Sequence, residues 1–479
     1  MPSMVTAMNY NHALFLNPYI ESSDNGAMRL FPPVGLEYVA ASAKEFARRI
    51  TVIDLRHEKE LCVTENLLAF IREEKIDLVC VSITWDRQFD EICDLLNRIP
   101  DHIPVIVGGY KATELAVELL QRCPTVDAVV RGEGEETIKE IMGNVPFEDI
   151  KGISFRHNGE IRHNPFRPFP AADTIPAPDR SLRRYKYRMT FGGINVTNLT
   201  FDSVLTARGC PFNCKFCTFN LNPLGQKRKY SERDIASVVD EIEASCAGAI
   251  LFGDDEIFAN KKRAEKLCDE IIRRKIRKRF IAQTRIDIAK HPQLLDKIVK
   301  AGFKALLVGI ESPHDWVLGQ FNKGFDSNTI REAFAVLRKY PIYFHGYFIY
   351  GNIGETEEEM LYIPEFAKEI GVDGVTLNKL RIEKFSALRE IAEKTPGYHI
   401  TEKGELYSDR YSHAALKKIG RRMRKMFYTP SRFPKMLYKV VFKAKFFTFW
   451  ETVQLVLTAP LLIFAALSKE MQKRRFAKK

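Results

Sequence analysis

The sequence is informative first in what it lacks. The N-terminal stretch MPSMVTAMNYNHALFLNPYI has no basic segment ahead of an apolar run, so no secretory signal is expected. No segment is of low complexity and no internal repeat recurs, which argues against solenoid and propeller architectures. Cysteine is sparse: nine residues in 479, scattered apart from one tight trio. Single cysteines without a secretory signal point to a reducing cytoplasm and not to a disulfide framework. Acidic residues are missing from one stretch, Tyr411 to Trp450, which holds 11 Lys and Arg and no Asp or Glu. What remains is ordinary. The chain is 45% apolar and 28% charged, and its length suggests roughly two to four domains.

The formal net charge of +12 is not spread evenly. Residues 411–479 carry 17 Lys and Arg against two acids, Glu451 and Glu470, so the remaining 410 residues are close to neutral at −3. Whatever the charge does, it does at the C-terminus.

Residues 1–145 are expected to form a doubly wound, Rossmann-like α/β domain. Short apolar runs at 12–17, 50–55, 77–83, 104–109 and 127–132 suit buried parallel strands, with helical stretches between them. Ligands bind open α/β sheets at the strand C-termini. Residues 146–200 are expected to be a connector, with a hairpin turning at Asn158-Gly159 and then a proline-rich strap. Residues 201–390 alternate again. Strands are expected at 203–209, 249–254, 280–286, 305–311, 343–351 and 374–380, separated by amphipathic helices. Six βα units are too few to close an eight-unit barrel, so a partial (β/α)6 barrel with its working face at the strand C-termini is expected. Residues 391–479 are expected to form a helical, basic C-terminal region.

GCPFNCKFCTF places Cys210, Cys214 and Cys217 in a Cys-x3-Cys-x2-Cys loop after the first strand of the second domain. Three clustered thiolates can hold an iron–sulfur cluster while leaving one iron open. A structural zinc site would want a fourth Cys or His at matched spacing, and none lies nearby in the sequence. Cys246 and Cys268 stand alone beside helices and are expected to be buried small apolar residues, so no auxiliary cluster is expected.

The trio, with Phe216 before its last cysteine, resembles the radical S-adenosylmethionine (SAM) superfamily. The resemblance implies one 4Fe–4S cluster whose open iron is chelated by SAM. One electron then cleaves SAM to a 5′-deoxyadenosyl radical, and an external donor such as flavodoxin or ferredoxin supplies that electron. It further implies SAM-binding positions at Phe216 and at successive strand ends: Gly253, Asp254, Asp255 and Glu256 in ILFGDDEIFA, Thr284 and Arg285 in QTRID, and Glu311 and Ser312 in LLVGIESP. YFIYGNIGET resembles a further family string, although Ile353 stands where proline is usual.

The first domain resembles the cobalamin-binding domain that precedes the radical domain in one large subclass, through PPVGLEYVAA, VGGYKATE, RGEGEET and the GISFRHNGE hairpin. This similarity runs over residues ~10–385. It implies cobalamin contacts from Pro33, Gly35, Leu36, Ser82, Thr84, Trp85, Gly108, Gly109, Tyr110, Lys111, Gly132, Glu133, Gly134 and Glu135. A nucleotide-binding domain would want G-x-G-x-x-G after the first strand, which NPYIESSDNG lacks; a purely structural α/β domain stays open. The string D-x-H-x-x-G is also missing, so cobalt without a protein histidine on its lower face is expected, with Trp85 or Tyr110 either near the corrin or in the core.

In this subclass the commonest outcome is methyl transfer from methylcobalamin to an unactivated carbon. Cyclisation or rearrangement is the alternative, and a non-catalytic cobalamin sensor the reading from another class. Substrate contacts are expected from His345, Tyr347 and Asn378, although His345 serves equally as a core histidine. In the tail, basic residues alternate with aromatic ones and lead into an apolar run, 452–467, and a basic end, KRRFAKK. As a helix this run reaches ~24 Å against a ~30 Å hydrocarbon core. The pattern suits peripheral attachment to the anionic cytoplasmic leaflet, and with it a lipid or other hydrophobic small-molecule substrate. A helical cap on the barrel is the competing reading. Nucleic acid is not expected, because it gives no reason for the apolar run.

Overall fold

The computed structural model describes residues 9–20, 30–191, 194–217 and 221–461, arranged as two compact units. The first unit holds residues 1–187 and 222–226. Its sheet begins with five parallel strands: β1 (Tyr10–Asn17), β2 (Ala47–Asp54), β3 (Leu78–Ser82), β4 (Val105–Gly108) and β5 (Ala128–Val130). Alternate residues of one strand serve two different cores. Leu14, Leu16, Val79, Val81, Val105 and Val107 pack on one face. Ala13, Phe15, Leu78, Cys80 and Ile106 pack on the other. A strand buried on both faces must be apolar throughout, which is why these segments look like continuous runs in the sequence.

The sheet order is β2-β1-β3-β4-β5-β6-β7. β6 (Ile153–His157) and β7 (Glu160–His163) form the hairpin expected at Asn158-Gly159, and β6 pairs antiparallel with β5. Both turn residues have positive φ, 52° and 82°, as a two-residue hairpin turn demands. The hairpin thus extends the first sheet; it is not part of a separate strap. Strand order reverses between β1 and β3. The crevice beyond those two C-termini is the ligand-binding position of such sheets.

The second unit holds residues 188–221 and 227–479. Its sheet runs β16-β15-β14-β13-β12-β9-β8. The strands are β8 (Arg188–Phe191), β9 (Ile194–Val204), β12 (Ala249–Phe252), β13 (Arg279–Thr284), β14 (Phe303–Glu311), β15 (Tyr343–Tyr350) and β16 (Gly374–Lys379), with β10 (Ala207–Arg208) and β11 (Ser231–Glu232) forming a separate short pair. Six strands are parallel, as expected for a partial barrel, and β8 adds an antiparallel edge. The first parallel strand lies earlier than the sequence suggested. It ends at Val204 because the Asp254 carboxylate accepts the N–H groups of Thr206 (3.0 Å) and Ala207 (2.6 Å), which lifts the chain out of the ladder.

Val204, Ile250, Phe252, Phe280, Leu306, Val308, Phe344 and Phe348 join the helices in one large core. The alternate residues Leu251, Ile281, Gln283, Leu307, His345, Tyr347 and Thr376 are only half-buried and line the concave face. Cys268 is buried as expected, whereas Cys246 is exposed, since it follows its helix in the turn before β12.

The tail is not wholly helical: β17 (Tyr398–Ile400) and β18 (Leu406–Ser408) form a short hairpin. The helix His413–Phe427 then buries Leu416, Ile419, Met423 and Phe427 in the barrel's main core. Gly420 lets it approach, since a Cβ there would lie 2.2 Å from the Tyr350 hydroxyl. The chain continues beneath the N-terminal ends of the barrel strands. Arg432 donates to the Val372 carbonyl (2.8 Å), Lys439 to that of Tyr340 (3.3 Å), and Glu451 pairs with Arg279 (2.7 Å). The competing reading, a helical cap, therefore describes the inner side of this region. No helix among the described residues is long and apolar enough to cross a membrane. Residues 462–467 of the apolar run and the basic end lie outside the described residues.

Candidate active site

The three cysteines sit on a loop pinned to the barrel. Gly209 starts it with φ 73°, where a Cβ would meet the Arg228 carbonyl at 2.7 Å, so only glycine fits. Lys215 N–H donates to Phe321 O (3.0 Å), Ser386 Oγ to Lys215 O (3.0 Å), and Asn322 Nδ2 to Asn213 O (3.1 Å). Phe216 packs on Phe321 with ring centroids 4.7 Å apart, so the aromatic residue of the trio is the loop's anchor. Cys210, Cys214 and Cys217 are all half-buried. Burial, then the nearby Asp255 and Glu256 carboxylates, pushes the Cys210 thiol up to about 11. No three described His, Cys, Asp or Glu side chains converge tightly enough for a single metal ion. A cubane asks something different: each thiolate binds its own iron, so its ligands ring the cluster and need not meet at one point. Three accessible thiols on a fixed loop suit that donor set.

The acids of the β12 end divide by role. Asp254 is 3% exposed and consumed by Thr206 and Ala207. Glu256 is equally buried and accepts from Arg285 N (2.5 Å), Phe258 N (3.1 Å) and Thr284 Oγ1 (3.2 Å). Both knit backbone. Asp255 lies between them, and burial, then the Asp254 charge, raises its pKa to about 6. Gly253 allows β12 to meet Leu205, whose Cδ2 would be 3.0 Å from an added Cβ.

At the β14 end a register shift falls between Gly309 and Glu311, and Glu311 adopts φ 73°. A left-handed glutamate costs free energy of order 1–3 kcal/mol unless its surroundings hold it. The buried Lys323 ammonium does so at 3.2 Å. Gly309 leaves them room, since a Cβ there would sit 2.8 Å from Glu311 Oε1. Ser312 is fully buried and accepts the His314 N–H, capping the turn into the helix Asp315–Phe321. Lys323 is not singled out by any sequence string; only the fold brings it to Glu311.

His345 and Tyr347 on β15 and Asn378 on β16 share the concave face, because Tyr347 registers with Thr376 and Ile349 with Asn378. His345 Nε2 is 2.7 Å from Thr376 Oγ1. Gly374 is needed beside it: a Cβ there would lie 2.2 Å from the Tyr343 hydroxyl and 2.8 Å from His345 Nδ1. Burial depresses the His345 pKa to about 4 from 6.5, so the ring is neutral at pH 7. Between these values the unfolded chain binds the extra proton and the native state does not. Stability therefore rises with pH across that window and is lost as pH falls from about 6.5 toward 4, by at most about 3 kcal/mol. Urea unfolding of the native protein between pH 4.5 and 7 is expected to show a steeper loss on acidification than His345→Gln; identical slopes would contradict the neutral buried ring.

In the first unit the residues drawn from the resemblance separate into two groups. Ser82 ends β3 and Thr84 and Trp85 follow it, Gly108 ends β4, and Gly132 and Glu133 follow β5, all at the C-terminal edge of the sheet. Trp85 packs on Tyr19 (4.8 Å), whose hydroxyl donates to Trp85 O (2.8 Å), and Arg87 lies over the indole at 4.4 Å. Tyr19 and Arg87 carry no motif and were not foreseen. The other group makes contacts within the fold. Leu36 is a core residue. Gly109, with φ 107°, is required by the backbone of Ile83, whose carbonyl would be 2.6 Å from a Cβ. This is a close approach within the protein. Tyr110 opens the helix Tyr110–Glu114, in which Lys111 is buried against Glu114. Pro33 and Gly134 stand at helix N-termini, Gly35 lies within the helix Val34–Ser42, and Glu135 is buried in the helix Glu135–Met142.

The Radical SAM superfamily model matches residues 204–367, and the B12 binding domain model matches residues 29–142. An uncharacterized methyltransferase of Pyrococcus horikoshii is 28% identical over 71% of this chain and 74% of its own length. The anaerobic magnesium-protoporphyrin IX monomethyl ester cyclase of Cereibacter sphaeroides is 26% identical over 72% of this chain, and the hopanoid C-3 methylase of Methylococcus capsulatus 26% identical over 65%. This chain spans 58% and 59% of their respective lengths. The solved structure of the radical SAM methyltransferase TsrM from Kitasatospora setae, with cobalamin and a 4Fe–4S cluster bound, superimposes with a TM-score of 0.69. It covers 96% of this chain at 17% identity, which establishes the shared fold. The chain thus carries a B12 binding domain ahead of a Radical SAM domain built on a three-cysteine half-barrel, the domain order of cobalamin-dependent radical SAM enzymes.

Proposed function

We propose that the protein transfers a methyl group to an unactivated carbon of a hydrophobic, lipid-like substrate. The observation that carries the reaction class is the pairing of the cobalamin-type sheet edge in the first unit with the three-cysteine loop in the second. Together the cluster, SAM and cobalamin supply a 5′-deoxyadenosyl radical and a methyl donor. The protein's own part is positioning. Cys210, Cys214 and Cys217 hold the cluster. Asp255, the β12 acid left over once Asp254 and Glu256 are spent on backbone, takes the SAM amino group, whose charge holds its carboxyl in the ionised form. The Glu311–Lys323 pair offers the rest of SAM a donor and an acceptor from a fixed position. Neutral His345, with Tyr347, Thr376 and Asn378, lines the wall where a substrate hydrocarbon can lie without meeting a charge. Trp85 and Arg87, half-buried over the fully buried Tyr19, present an aromatic and cationic surface to cobalamin.

The hydrophobic substrate is supported by the outer side of the tail. Phe433, Tyr438, Phe442, Phe449, Trp450 and Leu457 are 53–73% exposed, and Lys435, Lys443 and Lys445 stand exposed among them. Large exposed aromatic side chains interleaved with lysines fit the surface of an anionic bilayer, where each cation contributes about 1 kcal/mol. The magnesium-protoporphyrin cyclase among the relatives keeps ring formation as the second reading.

Anaerobic incubation with methyl-deuterated SAM, a reductant and a lipid extract tests the reaction. The expected result is 5′-deoxyadenosine together with a deuterated methyl group on a lipid. 5′-Deoxyadenosine without label transfer would favour cyclisation, and its absence would remove the radical reading. Membrane contact is tested by sedimentation with phosphatidylglycerol-containing vesicles. The full chain is expected to pellet, and a Phe442→Ser, Phe449→Ser, Trp450→Ser variant to bind at least about tenfold more weakly. Equal binding would remove the membrane and the argument for a lipid.

A further inference from the structure

Arg285 stands at the end of β13, where the family resemblance implies contact with SAM. Its guanidinium is instead directed at a cluster cysteine. Nη1 lies 3.7 Å from Cys214 Sγ. Nε donates to Asp287 Oδ2 (2.9 Å), and Nη2 to the Lys323 carbonyl. The backbone N–H is held by Glu256 at 2.5 Å, and the guanidinium carbon sits 4.1 Å from the Phe212 ring centroid. The side chain is 12% exposed. A planar fork fixed at two donors and against one ring has its third direction set as well.

We propose that Arg285 sets the reduction potential of the cluster by donating a hydrogen bond to the Cys214 sulfur. The inference rests on the assignment of the three cysteines as cluster ligands. Reduction adds one electron and makes the cluster one unit more negative. No bond breaks. A cationic N–H donor on a ligand sulfur stabilises that extra charge more than it stabilises the oxidised form, and the low exposure of the site strengthens the effect. Asp287 opposes it, because its carboxylate neutralises part of the guanidinium charge and is anchored to the same residue. The two side chains thus push the potential in opposite directions: Arg285 upward and Asp287 downward.

The test is an EPR-monitored redox titration of the full chain, anaerobically reconstituted to four irons, without SAM. Arg285→Gln is expected to lower the midpoint so that the reduced-to-oxidised ratio at a fixed potential falls about tenfold, which for one electron is about 59 mV. Asp287→Asn is expected to move it the other way. If Arg285→Gln does not retain four irons, Asp287→Asn carries the test, and an unchanged or lowered midpoint there overturns the proposal. Loaded proteins that share one midpoint overturn it as well. Failure of the native chain to bind iron through the trio removes the cluster assignment itself, and is recognised by the iron content before any potential is measured.

Discussion

Alanine at Cys214 is expected to abolish 5′-deoxyadenosine formation and to leave the reconstituted protein without a four-iron cluster. Cys214 is the middle cysteine of the loop: its carbonyl accepts the Cys217 N–H at 3.1 Å, so the two thiols are set by one turn. Two remaining thiolates leave two irons without protein sulfur, and a cubane held at half its corners is lost or degraded. The loop itself should survive, since its anchors are Gly209, Phe216 and the backbone bonds of Asn213 and Lys215. Loss of activity without loss of fold is therefore expected: unchanged far-ultraviolet circular dichroism and thermal midpoint of the metal-free protein, with product formation below detection. Cys80→Ser or Cys123→Ser, in the cores of the first unit, is expected to do the reverse, lowering stability with the cluster still assembled. Retained activity in Cys214→Ala would refute the assignment.

A chain ending at Asp409 is expected not to fold stably, whereas one ending at Pro430 is expected to unfold cooperatively. The difference is the helix His413–Phe427, which places Leu416, Ile419, Met423 and Phe427, each 5% exposed or less, into the main core of the barrel. Four such side chains contribute roughly 6–12 kcal/mol at about 1.5–3 kcal/mol each. That is comparable with the total stability of about 5–15 kcal/mol typical of a domain. Removing them also strips cover from Tyr350 and Gly351, at the C-terminal end of β15. Urea unfolding followed by circular dichroism distinguishes the two lengths; a sharp transition at an unchanged midpoint in the shorter chain would show that the helix is dispensable. For the same reason membrane contact is better probed by surface substitutions than by deleting the tail.

How much was legible from sequence varies with the range of the interaction involved. The doubly wound domain was readable because a strand buried on both faces is apolar along its length, the barrel strands because short apolar-rich runs recur between amphipathic helices, and the Asn158-Gly159 turn announces its own geometry. The cysteine trio was readable because loop spacing alone places three thiols together. The end of β9 was misplaced because the residue that ends it, Asp254, lies 48 positions from Thr206. Strand propensity carries no record of a distant carboxylate capturing two N–H groups.

The same limit separates what each level determined about function. Sequence by itself determined the cofactor class, since the cysteine loop and the order of the two domains are local or linear properties. Only the tertiary structure decided which residues of each motif are free to act. Asp254 and Glu256 are spent on backbone while Asp255 is left, and Leu36 and Gly109 serve the core and a neighbouring strand. Arg285 is turned to Cys214, and the basic tail buries one side against the barrel while its aromatic side faces outward. Those assignments depend on which groups from distant parts of the chain already satisfy a given side chain. That is decided by hydrogen bonding and burial in three dimensions, because a buried polar group that has found its partners has little left to offer a ligand.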